Sequence, residues 1–185
     1  NQVNVSGTII FRNNTRVPLP GAGPGSAYLF FNSGSTFQLD RNGGGTPQAT
    51  WNANSTILVT GVTDQFPIFN LGTTNDFGNL TWNTPAMAPP AGSFELALNG
   101  LDIQGNLSVL NTNNQPLTLT SGVTSPVVMT VGGNLNVSGS SIVYIGEDND
   151  KSYELNVVGN YVQTGGSFLM QAASGVGANA TVLSL

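Results

Sequence analysis

Nine carboxylates, three arginines and one lysine make up the charged side chains of this 185-residue chain, which has no histidine and no cysteine. A thiolate nucleophile, an imidazole base, a Ser-His triad and a zinc site of ordinary type are therefore out of reach. The densest charge is Glu147-Asp148-Asn149-Asp150-Lys151. Carboxylates two apart in a loop can collect Ca²⁺, so Asp148 and Asp150 are the metal candidates. The EF-hand order is absent, with no glycine at the sixth place from Asp148 and no glutamate at the twelfth. A solvated turn between strands is the simpler expectation. Hydrolysis of a glycoside would want two carboxylates about 5–10 Å apart across a groove. Asp76 and Asp102 fall at nearly the same place in consecutive repeats and are expected to stack on neighbouring coils instead. Arg12, Arg16 and Arg41 lie far in sequence from the acid cluster. No residue is assigned to catalysis, no cofactor is expected, and the chain is read as a non-enzyme.

Charge also excludes partners. Only 7% of residues are charged and the formal net charge is −5. Four basic residues cannot supply the phosphate neutralisation that nucleic acids need, nor a polybasic attachment to anionic lipid. No apolar stretch approaches the roughly 20 residues of a membrane span, so membrane insertion is not expected. Glycans remain as partners, with Trp51, Trp82, Tyr28, Tyr144, Tyr153 and Tyr161 as a candidate platform. Trp82 and Tyr161 fall in phase with aliphatic residues, which favours core packing for both. Tyr144 alternates with Val143 and Ile145 and so belongs to the opposite face. Thr118 and Thr120 resemble half of an ice-binding rank, but the equivalent strands carry no matching threonines.

These side chains must be positioned by strands. Asn, Thr, Ser and Gly supply 82 of 185 residues, yet 39% hydrophobic content argues against disorder. Short alternating runs such as Thr56-Ile57-Leu58-Val59 and Glu154-Leu155-Asn156-Val157 have strand periodicity, with turn residues between them. Gly-Asn followed by a large apolar residue recurs at Gly78-Asn79-Leu80, Gly105-Asn106-Leu107, Gly133-Asn134-Leu135 and Gly159-Asn160-Tyr161. The intervals between successive glycines differ by no more than two positions. A second strand follows each anchor, at Phe94 to Leu98, Leu117 to Thr120, Ile142 to Ile145 and Phe168 to Met170.

A unit of this length cannot bury its own apolar side, whereas stacked copies bury a continuous core. The expected fold is all-β: a right-handed parallel β-helix (β-solenoid) of about 26–28 residues per coil, its hand following the rule for parallel crossovers. Residues 1–185 form one solenoid segment. Residues 1–50 are less regular coils with a Gly/Pro loop at 18–25, and residues 51–185 are the regular coils. In that frame Asn79, Asn106, Asn134 and Asn160 stack as a ladder whose side chains both donate and accept along the axis. Gly78, Gly105, Gly133 and Gly159 serve a bend with φ > 0 or a close backbone approach. Asn52 stands one such interval before Asn79 and extends the phase, with Trp51 in place of the glycine. Ala180 to Leu185 reads as the strand before another Gly-Asn, so a longer array is expected.

Asn42-Gly43-Gly44-Gly45, then Ala49-Thr50-Trp51-Asn52-Ala53-Asn54-Ser55-Thr56 and Thr60-Gly61, resemble the repeat region of large secreted proteins of Bacteroidota. Phe77-Gly78-Asn79-Leu80-Thr81-Trp82-Asn83 and Gly132-Gly133-Asn134-Leu135 continue that pattern, which covers roughly residues 30 to 170. Such proteins commonly end in a type IX secretion sorting domain. The resemblance implies an exported, cell-surface or extracellular bacterial β-solenoid. The expected role is a rigid spacer or filament-forming module, in contact with adjacent coils or further copies of itself. The alternative is an adhesin that binds glycans or a partner surface through one solenoid face.

Overall fold

A computed structural model describes residues 2–12, 29–69, 76–89, 94–98, 101–120, 127–146, 152–171 and 181–184. Every regular element among them is a β-strand, and every pairing is parallel. The chain is a parallel β-solenoid. Among the described residues its longest sheet has seven strands: β2 (Thr8–Arg12), β4 (Thr36–Asp40), β6 (Thr56–Val59), β8 (Asn79–Asn83), β11 (Leu107–Asn111), β14 (Leu135–Val137) and β17 (Tyr161–Gln163). A second wall is a five-stranded sheet of β7 (Asp76–Phe77), β10 (Asp102–Ile103), β13 (Val127–Val131), β16 (Tyr153–Val157) and β19 (Thr181–Ser184). A three-stranded sheet of β1 (Val3–Val5), β3 (Leu29–Phe31) and β5 (Thr50–Trp51) occupies the same place in the N-terminal coils, before the corner to the long sheet. The third wall has four strands: β9 (Phe94–Glu95), β12 (Pro116–Thr118), β15 (Ile142–Gly146) and β18 (Ser167–Gln171).

Alternation decides which side faces inward. In Thr36–Asp40, Phe37 and Leu39 are buried while Thr36, Gln38 and Asp40 are half-exposed. The inward rank Phe37, Ile57, Leu80, Leu107, Leu135 and Tyr161 follows directly from the strand register. Leu39, Val59, Trp82, Val109 and Val137 form the next. One apolar cluster runs from Val5 to Val157, and each fully buried aliphatic side chain contributes about 1.5–3 kcal/mol. Aromatic rings fill the N-terminal coils. Phe31 and Trp51 stack at 4.1 Å and 6°, and Phe37 meets both edge-on.

The coil length is not uniform. Thr8, Thr36, Thr56 and Asn79 lie over one another, so the coils that begin at Thr36 and Thr56 are shorter than the one before them. Leu80, Leu107, Leu135 and Tyr161 then follow at the regular repeat. This corrects the assignment of Asn52. Thr56, not Asn52, is at the level of Asn79, and Trp51 is a strand residue paired with Phe31 rather than a stand-in for the glycine. The reason is a longer corner. The chain turns through Asn32 to Ser35 and again through Asn52 to Ser55, where Gly78 alone suffices later. Both long corners close in the same way: the Ser35 hydroxyl donates to the Asn32 carbonyl at 2.7 Å, and that of Ser55 to Asn52 at 2.7 Å. The two serines are thereby satisfied although fully buried. The Gly/Pro loop at 18–25 lies outside the described residues.

Candidate functional site: the Gly-Asn corner and the polar ranks

The four Gly-Asn pairs turn the chain from the second wall into the long sheet. The Asn79 Oδ1 accepts the backbone N–H of Asn106 at 2.9 Å, Asn106 Oδ1 that of Asn134 at 2.7 Å, and Asn134 Oδ1 that of Asn160 at 2.8 Å. At the base, Asn79 Nδ2 donates to the Ser55 carbonyl at 3.1 Å. The ladder is therefore side chain to backbone, a different chemistry from stacked amides that donate and accept among themselves. Asn160 Nδ2 reaches Asn134 Oδ1 only at 3.5 Å. Each corner also carries backbone bonds: Gly105 N–H donates to the Gly78 carbonyl, Gly133 to Gly105, and Gly159 to Gly133.

The glycines serve this ladder. None of Gly78, Gly105, Gly133 and Gly159 is among the described residues with positive φ, so backbone handedness does not require them. Close approach does. A Cβ on Gly105 would lie 2.4 Å from Asn79 Oδ1, one on Gly133 2.5 Å from Asn106 Oδ1, and one on Gly159 2.6 Å from Asn134 Oδ1. Glycine and asparagine are thus two halves of one device, in which the glycine leaves the space that the asparagine below fills. At Gly78 the nearest atoms are backbone instead, and a Cβ there would strike the Ser55 and Asn52 carbonyls at 2.3 and 2.4 Å. Asn106→Ala removes the acceptor for Asn134 N–H and is expected to cost about 1–2 kcal/mol, read as a lower midpoint in urea unfolding.

The acidic candidates are dispersed. Asp148 and Asp150 lie outside the described residues. Asp76 and Asp102 are in register on adjacent strands, and their rank continues with Thr130 and Asn156. Gln104 Nε2 donates to Asp76 at 3.1 Å. Asp40 accepts from Arg12 Nε at 2.9 Å and from the Thr60 hydroxyl at 3.1 Å, a surface link across three coils. Among the described residues, no three acids gather in a metal-holding group. No described helix is long and apolar enough to cross a membrane.

The aromatic candidates divide by burial. Trp51, Trp82 and Tyr153 are core residues, and Trp82 is in register with Val59 and Val109. Tyr161 is half-buried over Leu135, and burial pushes its phenol pKa up while its hydroxyl donates to Gln163. Tyr144 is half-exposed on the third wall, and Tyr28 lies outside the described residues. Thr118 and Thr120 are buried, the Thr120 hydroxyl donating to the Ile145 carbonyl at 2.6 Å, so neither presents its side chain to solvent.

A further polar constellation joins the loop after β4 to the loop after β6. Asn42 Oδ1 accepts three consecutive backbone N–H groups, from Thr63 at 2.9 Å, Asp64 at 3.0 Å and Gln65 at 2.9 Å. Its Nδ2 donates to Asp64 Oδ1 at 2.5 Å. The sequence carries no signal for this clasp, since nothing in the spacing of Asn42 and Thr63 marks them as neighbours.

The fold and its corners define a parallel β-solenoid with an asparagine ladder. Compared with protein-family models, curated proteins and solved structures, the chain matches none.

Proposed function

We propose that this chain is a structural, non-catalytic solenoid module of a secreted or cell-surface bacterial protein, acting as a rigid spacer or filament-forming segment. One observation carries the reading: the Gly-Asn ladder and its backbone bonds continue without interruption through four coils, from Asn79 to Asn160, over a single core. Such a stack transmits force along its axis through many parallel hydrogen bonds, and it does so with neutral side chains. Like charges repeated every coil would form repelling columns at about 4.8 Å spacing. The location outside the cell rests on the resemblance of residues 30 to 170 to Bacteroidota repeat regions.

Single-molecule pulling on the tethered chain tests the role. A spacer is expected to yield in discrete steps of about 90–100 Å, the contour length of one regular coil, with steps of about 65–85 Å from the shorter coils that begin at Thr36 and Thr56. Smooth extension at low force would sink it. On a glycan array the expected result is no specific signal. Binding that disappears in Tyr144→Ala would favour the adhesin reading instead.

A further inference from the structure

We propose that Asn42 is a hydrolytic deamidation site that the folded clasp keeps closed. Asn42 precedes Gly43, and a following glycine has no Cβ to hinder attack of its backbone nitrogen on the asparagine side chain. In that reaction a bond forms between Gly43 N and Asn42 Cγ, and the Cγ–Nδ2 bond breaks. Nδ2 departs as ammonia with the proton that leaves Gly43 N. Water then opens the five-membered imide, giving aspartate or isoaspartate. Water is the only co-reactant.

The fold occupies every group this step must move. Gly43 N–H donates to the Gln65 carbonyl at 3.1 Å, so the nucleophile is already engaged. Oδ1 is held by three backbone N–H groups, which fixes the side-chain carbonyl. Nδ2 is held by Asp64 Oδ1. The Thr63 hydroxyl also faces this carboxylate oxygen at 3.4 Å. Ring closure requires the Gly43 bond to break and the side chain to leave its three donors, which amounts to separating the two loops. Deamidation at Asn42 therefore follows local opening between the second and third coils.

The change then holds the clasp open. An aspartate at 42 has no amide donor for Asp64 and places a second carboxylate against it. An isoaspartate moves a methylene from the side chain into the main chain, so its carboxyl no longer reaches residues 63–65.

The test is peptide mapping by mass spectrometry of the whole chain held at mildly alkaline pH, native and in urea. It follows the gain of about 1 Da at Asn42 separately from Asn99-Gly100, the other Asn-Gly pair. Native Asn42 is expected to react at least roughly tenfold more slowly than in urea, as for a site exposed only by local opening. Asp64→Ala is expected to raise the native rate several-fold without changing the rate in urea. Asp64→Asn, which keeps an acceptor oxygen, stays near the original. Equal rates in native buffer and in urea would overturn the proposal, as would an unchanged native rate in Asp64→Ala.

Discussion

Gly133→Ala is expected to lower the stability of the chain by about 2–3 kcal/mol, near the upper end of what overpacking costs. The new methyl group would stand 2.5 Å from Asn106 Oδ1 and 2.8 Å from the Gly105 carbonyl carbon and oxygen. The side chain can rotate away, but only by abandoning the N–H of Asn134. The backbone cannot move without disturbing the Gly133-to-Gly105 bond on which the corner rests. A double-mutant cycle separates the two contributions. Asn106→Ala removes the nearer obstacle, so Gly133→Ala should cost less in that background, with a coupling of about 0.5–1.5 kcal/mol. Residual destabilisation then reports the backbone contact. Urea midpoints of the four proteins check this, and strict additivity would show that glycine and asparagine act independently.

Trp82→Ala is expected to be the most damaging single truncation, at about 3–5 kcal/mol. The indole is fully buried, between Val59 on one coil and Val109 on the next. These neighbours belong to strands fixed by parallel pairing on both sides, so the walls cannot collapse into the vacated volume. Trp82→Leu should recover about half of the loss, because it restores apolar volume without the indole. The Nε1 of Trp82 has no hydrogen-bond partner among the described residues, and leucine removes that buried donor too. Thermal unfolding followed by far-UV circular dichroism gives the comparison. A near-neutral Trp82→Ala would place the ring at the surface and reopen a role in glycan contact.

Much of the fold was legible because a solenoid repeats its environment. Ile103, Val131 and Val157 recur just before the corner glycine, and the structure places all three on one wall of the core. The second strands were legible for the same reason, since Leu117 lies over Phe94 and under Val143, with Phe168 beyond. Legibility failed where the corner length changed. Asn52 keeps the regular interval to Asn79 by coincidence, while the long corners at Asn32 to Ser35 and Asn52 to Ser55 shift the true phase to Thr56. Counting along the chain cannot reveal this, because a corner can absorb extra residues without changing the strands it joins.

The sequence alone determined the period, the inward alternation and the identity of the corner pair. Strands have a side-chain period of two, and stacking sets like over like, so both leave their mark along the chain. Only the tertiary structure decided why glycine precedes asparagine: its missing Cβ is the space taken by the side-chain oxygen of the asparagine one coil below. It also decided that the asparagines accept from backbone N–H groups, and that Asn42 closes on residues 63–65. These contacts depend on which coil lies above which loop, a distance in space that local composition does not encode.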